Sequence, residues 1–194
     1  MLYNVCRSLL RVLYAVLFRF EAQGLDNIPA AGPVILCSNH TSNLDPTTVG
    51  VMVNRKVHYM AKQELFNVPL FGPFIRALGA FPVKRGGVSK DTIRTAIALM
   101  RDGGVMGIFP EGSRRAPSGA GKKGAAMIAL RSGATVIPVA ITGNYRLFSK
   151  VVIRYGQPID LSAFIQDSSS NVLDKLTETI MTRIREMVRE DRGR

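Results

Sequence analysis

Val34-Ile-Leu-Cys-Ser-Asn-His-Thr-Ser-Asn-Leu-Asp-Pro46 decides the fold of this chain. Its apolar run, Val34 to Cys37, predicts a short buried strand. Asn, Thr and Ser around His40 predict a polar turn, and Pro46 then opens a helix. This order puts His40 at the C-terminal end of a strand, where open α/β sheets build their sites. Asp45 stands in a His-x-x-x-x-Asp spacing. If the turn folds back, the carboxylate reaches one imidazole nitrogen, stabilises the imidazolium and leaves the other nitrogen as a base. The plainer alternative makes Asp45 the N-cap and Pro46 the N1 residue of the helix that runs on through Thr47, with His40 in water. The two roles of Asp45 are compatible, since a carboxylate has two oxygens.

Outward from this stretch, short strands alternate with helices, which predicts an α/β protein with a mostly parallel central sheet flanked by helices. A short strand and turn fall between Phe20 and Ala30, before the strand at Val34. The helix from Pro46 to Val53 leads to a strand at Val57-His-Tyr-Met-Ala61, and Ala80 to Val83 is the next strand. Asp91 to Arg101 is an amphipathic helix stopped by Gly103 and Gly104. Val105 to Phe109 is a strand and Ala125 to Arg131 a helix. Thr135 to Thr142 is a strand whose Pro138 implies an edge position or a bulge. Val151 to Tyr155 is the last strand, and a stripe from Leu173 to Val188 marks the C-terminal helix. His58, inside a strand with no nearby acid, is read as structural.

The chain has 194 residues, 46% hydrophobic and 21% charged, which fits one folded domain. Its formal charge of +12 favours an anionic partner: a phospholipid surface, a phosphorylated substrate or nucleic acid. Cys6 and Cys37 are too few for a disulfide framework and are read as reduced thiols in the cytosol. No Cys/His cluster suits zinc, and no metal or cofactor is implied.

Residues 1–20 are rich in large apolar side chains interrupted by Arg7, Arg11 and Arg19. The unbroken run from Val12 to Phe18 is far short of the ~20 residues that span a bilayer. The reading adopted is an amphipathic helix in the membrane interface with its arginines toward lipid phosphates, followed by a single domain over 21–194. The alternative is an amphipathic helix packed on the protein's own core.

Polar clusters follow two further strands. Lys84-Arg85-Gly-Gly is either an anion cradle or a solvated basic loop. Pro110-Glu-Gly-Ser-Arg-Arg115 combines an acid, a hydroxyl and two guanidiniums, the groups best shaped for bidentate phosphate binding.

Four stretches occur in order: Asn39-His-Thr-Ser-Asn-Leu-Asp-Pro46, Gly79-Ala-Phe-Pro-Val-Lys-Arg85, Phe109-Pro-Glu-Gly-Ser-Arg114 and Val136-Ile-Pro-Val-Ala140. This ordered set resembles the blocks of the glycerolipid acyltransferases, and within them the bacterial 1-acylglycerol-3-phosphate acyltransferases of the PlsC type. The resemblance covers roughly residues 20–158. It implies a glycerol-phosphate acyltransferase-like fold and acyl transfer from acyl-ACP or acyl-CoA to lysophosphatidic acid, giving phosphatidic acid. His40 is then the general base, with Asp45 behind it. Lys84, Arg85 and Arg114 offer cations to the phosphate, with Lys62 a weaker candidate. Glu111, with Gly112 and Ser113 beside it in the same cluster, accepts from a glycerol hydroxyl or holds Arg114. Backbone N–H groups after His40 are candidates for the oxyanion.

A hydroxyl needs a base to attack a thioester, and His40 supplies one without an acylated Ser or Cys. No Gly-x-Ser-x-Gly elbow is present, against a serine hydrolase on the α/β-hydrolase plan. Another lysophospholipid acceptor stays open. So does a non-catalytic, basic membrane-surface protein, though that leaves His40, Asp45 and Glu111 together without a purpose. Nucleic-acid binding is disfavoured, because the basic residues lack interleaved stacking aromatics. The expected location is the cytoplasmic face of the cell membrane, peripheral or monotopic.

Overall fold

The computed structural model describes residues 1–83, 89–112 and 123–193. The continuous apolar runs form the interior strands, as expected of segments covered on both faces. Seven strands make one sheet: β1 (Arg19–Gln23), β2 (Val34–Ser38), β3 (Val57–Lys62), β4 (Ala80–Val83), β5 (Val105–Ile108), β6 (Thr135–Gly143) and β7 (Lys150–Tyr155). Their order is β1-β7-β6-β2-β5-β3-β4. β6, β2, β5, β3 and β4 run parallel; β7 is antiparallel to β6, and β1 is parallel to β7. The helices are α1 (Leu2–Leu17), α2 (Asp45–Val51), α3 (Phe71–Ala77), α4 (Lys90–Arg101), α5 (Gly124–Ser132), α6 (Ser162–Gln166) and α7 (Val172–Arg192). The short α6 has no counterpart in the sequence reading.

Side chains of a strand alternate between faces, and β2 divides the core accordingly. Ile35 and Cys37 pack with Met100 of α4, Ala126 and Ile128 of α5, and Leu176 and Ile180 of α7. Val34 and Leu36 pack on the other face with Val49 of α2 and with Ile153 and Tyr155 of β7. His58 is structural, as read: its Nδ1 donates to the Gly79 carbonyl at 3.0 Å.

Pro138 is not at an edge, since β6 lies between β2 and β7. The bulge is what accommodates it. Val139 pairs with Tyr155, but Val136 pairs with Ile159, so the register slips by one residue around Pro138. Its carbonyl accepts from the Gly156 N–H at 2.8 Å. The missing N–H of proline therefore faces the segment where β7 has left the ladder.

The N-terminal helix lies on the domain in the opposite sense to the one expected for its arginines. Arg7 Nη1 donates to the Val53 carbonyl at 2.6 Å; Arg11 donates through Nε to Val51 at 2.8 Å and through Nη2 to Met52 at 3.1 Å. These are the unpaired carbonyls at the C-terminus of α2, where a cation is also favoured by the helix dipole. Arg7 and Arg11 thus point into the protein and not toward lipid phosphates. Leu2, Val5, Leu9, Val12, Leu13 and Val16 face outward and are exposed. Among the described residues, no helix is long and apolar enough to cross a membrane.

Candidate active site

The root of the site is pinned by Asn39. Its side chain pairs with β6 as a strand residue would, accepting from Ile141 N–H at 2.8 Å and donating to the Ile141 carbonyl at 2.9 Å. The chain then turns through residues 40–44 into α2. His40 Nδ1 and Asp45 Oδ2 are 2.8 Å apart. Asp45 is fully buried, while the His40 side chain keeps 20% of its surface. The carboxylate is therefore fixed and dry, and the imidazole is reachable. Because Nδ1 is held by Asp45, Nε2 is the nitrogen that can take a proton.

Asp45 also closes the turn that carries its partner. Its Oδ2 accepts from the backbone N–H of Thr41 at 2.5 Å and of Ser42 at 2.7 Å. Two expectations are corrected by this. Asp45 is the first residue of α2 rather than its cap, and Leu44 occupies the cap position with no side-chain capping bond. The Thr41 and Ser42 N–H groups that follow His40 point at Asp45 and are not available to an oxyanion.

The other carboxylate oxygen, Oδ1, accepts from the Tyr145 phenol at 2.7 Å. Burial alone would raise the Asp45 pKa. The bonds from His40, Ser42, Tyr145 and Thr41 outweigh it and hold the carboxyl below the usual range. Asp45 is thus built as a carboxylate against the imidazole of His40.

Phe109 follows β5, the parallel neighbour of β2, and its ring stacks on His40 with centroids 4.2 Å apart. Tyr59 of β3 stacks in turn on Phe109 at 6.4 Å. Gly107 makes room for this: a Cβ there would lie 2.1 Å from Tyr59 Cε1. The Gly112 N–H bonds the Phe109 carbonyl at 2.9 Å, so Glu111 and Gly112 lie in a turn that begins at the residue stacked on His40. Lys62, exposed, ends β3 and pairs with Val83 of β4. Parallel strands share a C-terminal edge, so Lys62, Val83 and Phe109 leave the sheet at the edge that carries His40. Lys84, Arg85, Ser113 and Arg114 lie outside the described residues.

Sequence reasoning missed Tyr145, Thr48, Tyr14 and the stacking role of Phe109. Phe109 was within a quoted stretch and one residue past a strand end, so its position was a usable signal. Tyr145 lies 100 residues from Asp45, and nothing in its local sequence points there.

An acyltransferase family model matches residues 19–142. The chain is 31% identical over 192 residues to the 1-acyl-sn-glycerol-3-phosphate acyltransferase of Bacillus subtilis, covering 96% of each. It is 32% identical over 193 residues to the same-named protein of Streptococcus pneumoniae, covering 95% of this chain and 70% of that one. The crystal structure of the 1-acyl-sn-glycerophosphate acyltransferase PlsC from Thermotoga maritima aligns with a TM-score of 0.75 at 26% identity, covering 99% of this chain and 80% of that one.

Proposed function

The chain belongs to the acyltransferase family, and from that premise we propose that it moves a fatty acyl group from acyl-ACP or acyl-CoA to the sn-2 hydroxyl of 1-acylglycerol 3-phosphate, giving phosphatidic acid. The observation that carries the reading is the 2.8 Å contact between His40 Nδ1 and the buried Asp45 carboxylate. It leaves Nε2 to take the proton of the acceptor hydroxyl as that oxygen attacks the thioester carbonyl. Asp45 stabilises the imidazolium that results. The C–S bond then breaks, and the imidazolium returns its proton to the departing thiolate. Cys37 is no candidate for an acylated intermediate, since burial pushes its thiol up to about 12.

Lys84, Arg85 and Arg114 are proposed to hold the phosphate, with Ser113, Gly112 and Glu111 beside them and Lys62 at the same sheet edge. Support comes from the parallel topology, which brings the chain to that edge at Val83 and at Phe109.

The acceptor and the product are lipids, and drawing either into water costs ~0.8 kcal/mol per CH₂. The uncovered apolar face of α1 supports a membrane-associating helix over residues 1–20 on a single domain over 21–194. We place the protein on the cytoplasmic face of the cell membrane, drawn to anionic phospholipid by its charge of +12.

Purified protein offered lysophosphatidic acid and other lysolipids, each with both thioesters, tests the reaction. His40→Ala is expected to lose ~10²–10⁴ in rate while remaining folded. Near wild-type turnover by that variant would sink the proposed base.

A further inference from the structure

We propose that Tyr145, Thr48 and Tyr14 are positioning residues of the His40–Asp45 pair, so that the N-terminal helix supports catalysis as well as carrying an apolar outer face. The inference rests on the reading of His40 as base. A carboxylate held through one oxygen can pivot, because the torsion about its Cβ–Cγ bond is broad and two-fold. In Asp45, Oδ2 takes the bonds from His40, Thr41 and Ser42, and the Tyr145 phenol alone engages Oδ1 among the described residues. Tyr145 therefore sets the plane of the carboxylate, and with it the aim of His40.

The chain of hydroxyls continues inward to α1. Thr48 Oγ1 lies 2.9 Å from the Tyr145 oxygen, and Tyr14 OH lies 3.0 Å from Thr48 Oγ1 and 2.7 Å from Thr47 Oγ1. A carboxylate only accepts, so Tyr145 donates to Asp45. The Tyr145 oxygen can then accept from Thr48, and Thr48 from Tyr14, with the Leu44 carbonyl as a second acceptor 3.1 Å from Thr48 Oγ1 and 3.3 Å from the Tyr14 phenol. Burial pushes the Tyr145 phenol well above its usual range, and the Asp45 charge pushes it the same way, so it stays a donor. Tyr14 and Thr48 are buried, with Tyr14 at 2% exposure. Tyr14 is packed edge-on against Phe18 and Phe20, and Phe18 is in turn edge-on to Tyr145. The helix that turns Leu9, Val12 and Val16 outward thus turns Tyr14 inward, onto the support of Asp45.

The test uses the full-length protein and short-chain substrates that are monomeric in water, so that membrane binding does not limit the rate. Tyr145→Phe, Thr48→Val and Tyr14→Phe are compared with wild type, and Tyr145→Phe is repeated in an Asp45→Asn background. Tyr145→Phe should lower kcat ~10-fold or more with both KM values within about twofold, since it removes a hydrogen bond to a charged group. Thr48→Val and Tyr14→Phe should each lower kcat by smaller factors in the same way. In the Asp45→Asn background Tyr145→Phe should change little, because the two act through one contact. Tyr155→Phe is the control. It removes a buried phenol that bonds the Val49 carbonyl of α2, and it should lower the melting temperature without slowing turnover. Wild-type kcat in Tyr145→Phe overturns the proposal, as does an equal loss in both backgrounds. If His40→Ala is inactive in either case, only the positioning role falls. An active His40→Ala removes the base, and this inference with it.

Discussion

The rings of His40 and Phe109 lie face to face, their planes inclined by 24°. β2 and β5 are in parallel register from Val34↔Val105 to Cys37↔Ile108, so the two rings are delivered to each other by adjacent strand ends. The imidazole is thus fixed in two directions: in its plane by Asp45, and across its plane by Phe109.

Removing the ring should loosen the base without removing it. Phe109→Ala is expected to lower kcat ~10-fold, in keeping with the ~0.5–1.5 kcal/mol of an aromatic pair. Phe109→Tyr should keep most of the rate. Steady-state kinetics with both substrates check this, and a Phe109→Ala variant with unchanged kcat would remove Phe109 from the site.

Asp45→Asn keeps the shape of the side chain and loses the charge. Turnover should fall by ~10³–10⁴. Stability gives a second measure. The folded carboxyl lies below its unfolded value, so its contribution is fully present above the unfolded pKa and is lost as pH falls through the folded one. The melting-temperature gap between wild type and Asp45→Asn should be full near neutrality and should narrow below pH ~4. A gap independent of pH would mean that the carboxylate charge does not stabilise the fold.

The two faces of α1 should separate in experiment. Arg11→Ala leaves the Val51 and Met52 carbonyls without their donor. It should cost ~1–3 kcal/mol, seen as a lower melting temperature. Leu9→Glu, Val12→Glu and Val16→Glu together change exposed positions. They should leave the melting temperature nearly unchanged while weakening binding to anionic liposomes ~100-fold or more, given ~1.5–3 kcal/mol per large apolar side chain buried. Liposome flotation and thermal denaturation on the same samples decide it. Unchanged flotation of the triple variant would remove α1 from the membrane contact.

Much of this architecture is legible because burial on both faces leaves a local trace. β2 is apolar through Val34-Ile-Leu-Cys37, and all five of its residues are buried. The His40–Asp45 contact was readable because both partners lie within one turn. What the chain does at long range was not. The period of α1 shows that it has a polar face and an apolar face, but not which of them meets the protein. That choice was made by the carbonyls of α2, some 40 residues away. The oxyanion assignment failed for a related reason. The N–H groups after His40 are oriented by a carboxylate that the turn folds back onto them. Pro138 signalled irregularity correctly, yet its interior place depends on a bulge formed with Ile159.

Among the described residues β1 pairs with β7 alone, Arg19 lying against Lys150. On the ribosome, α1 and β1 are made long before that partner. At ~5–20 residues per second, the delay is on the order of ten seconds. Through this interval the outer face of α1 is uncovered, and the Tyr145 phenol that will steady Asp45 does not yet exist. A nascent chain in this state has an apolar surface to hide and no sheet to dock on, so a bilayer can claim the helix first. In the order of synthesis the support of Asp45 comes late, completed only when the chain has returned to its own beginning.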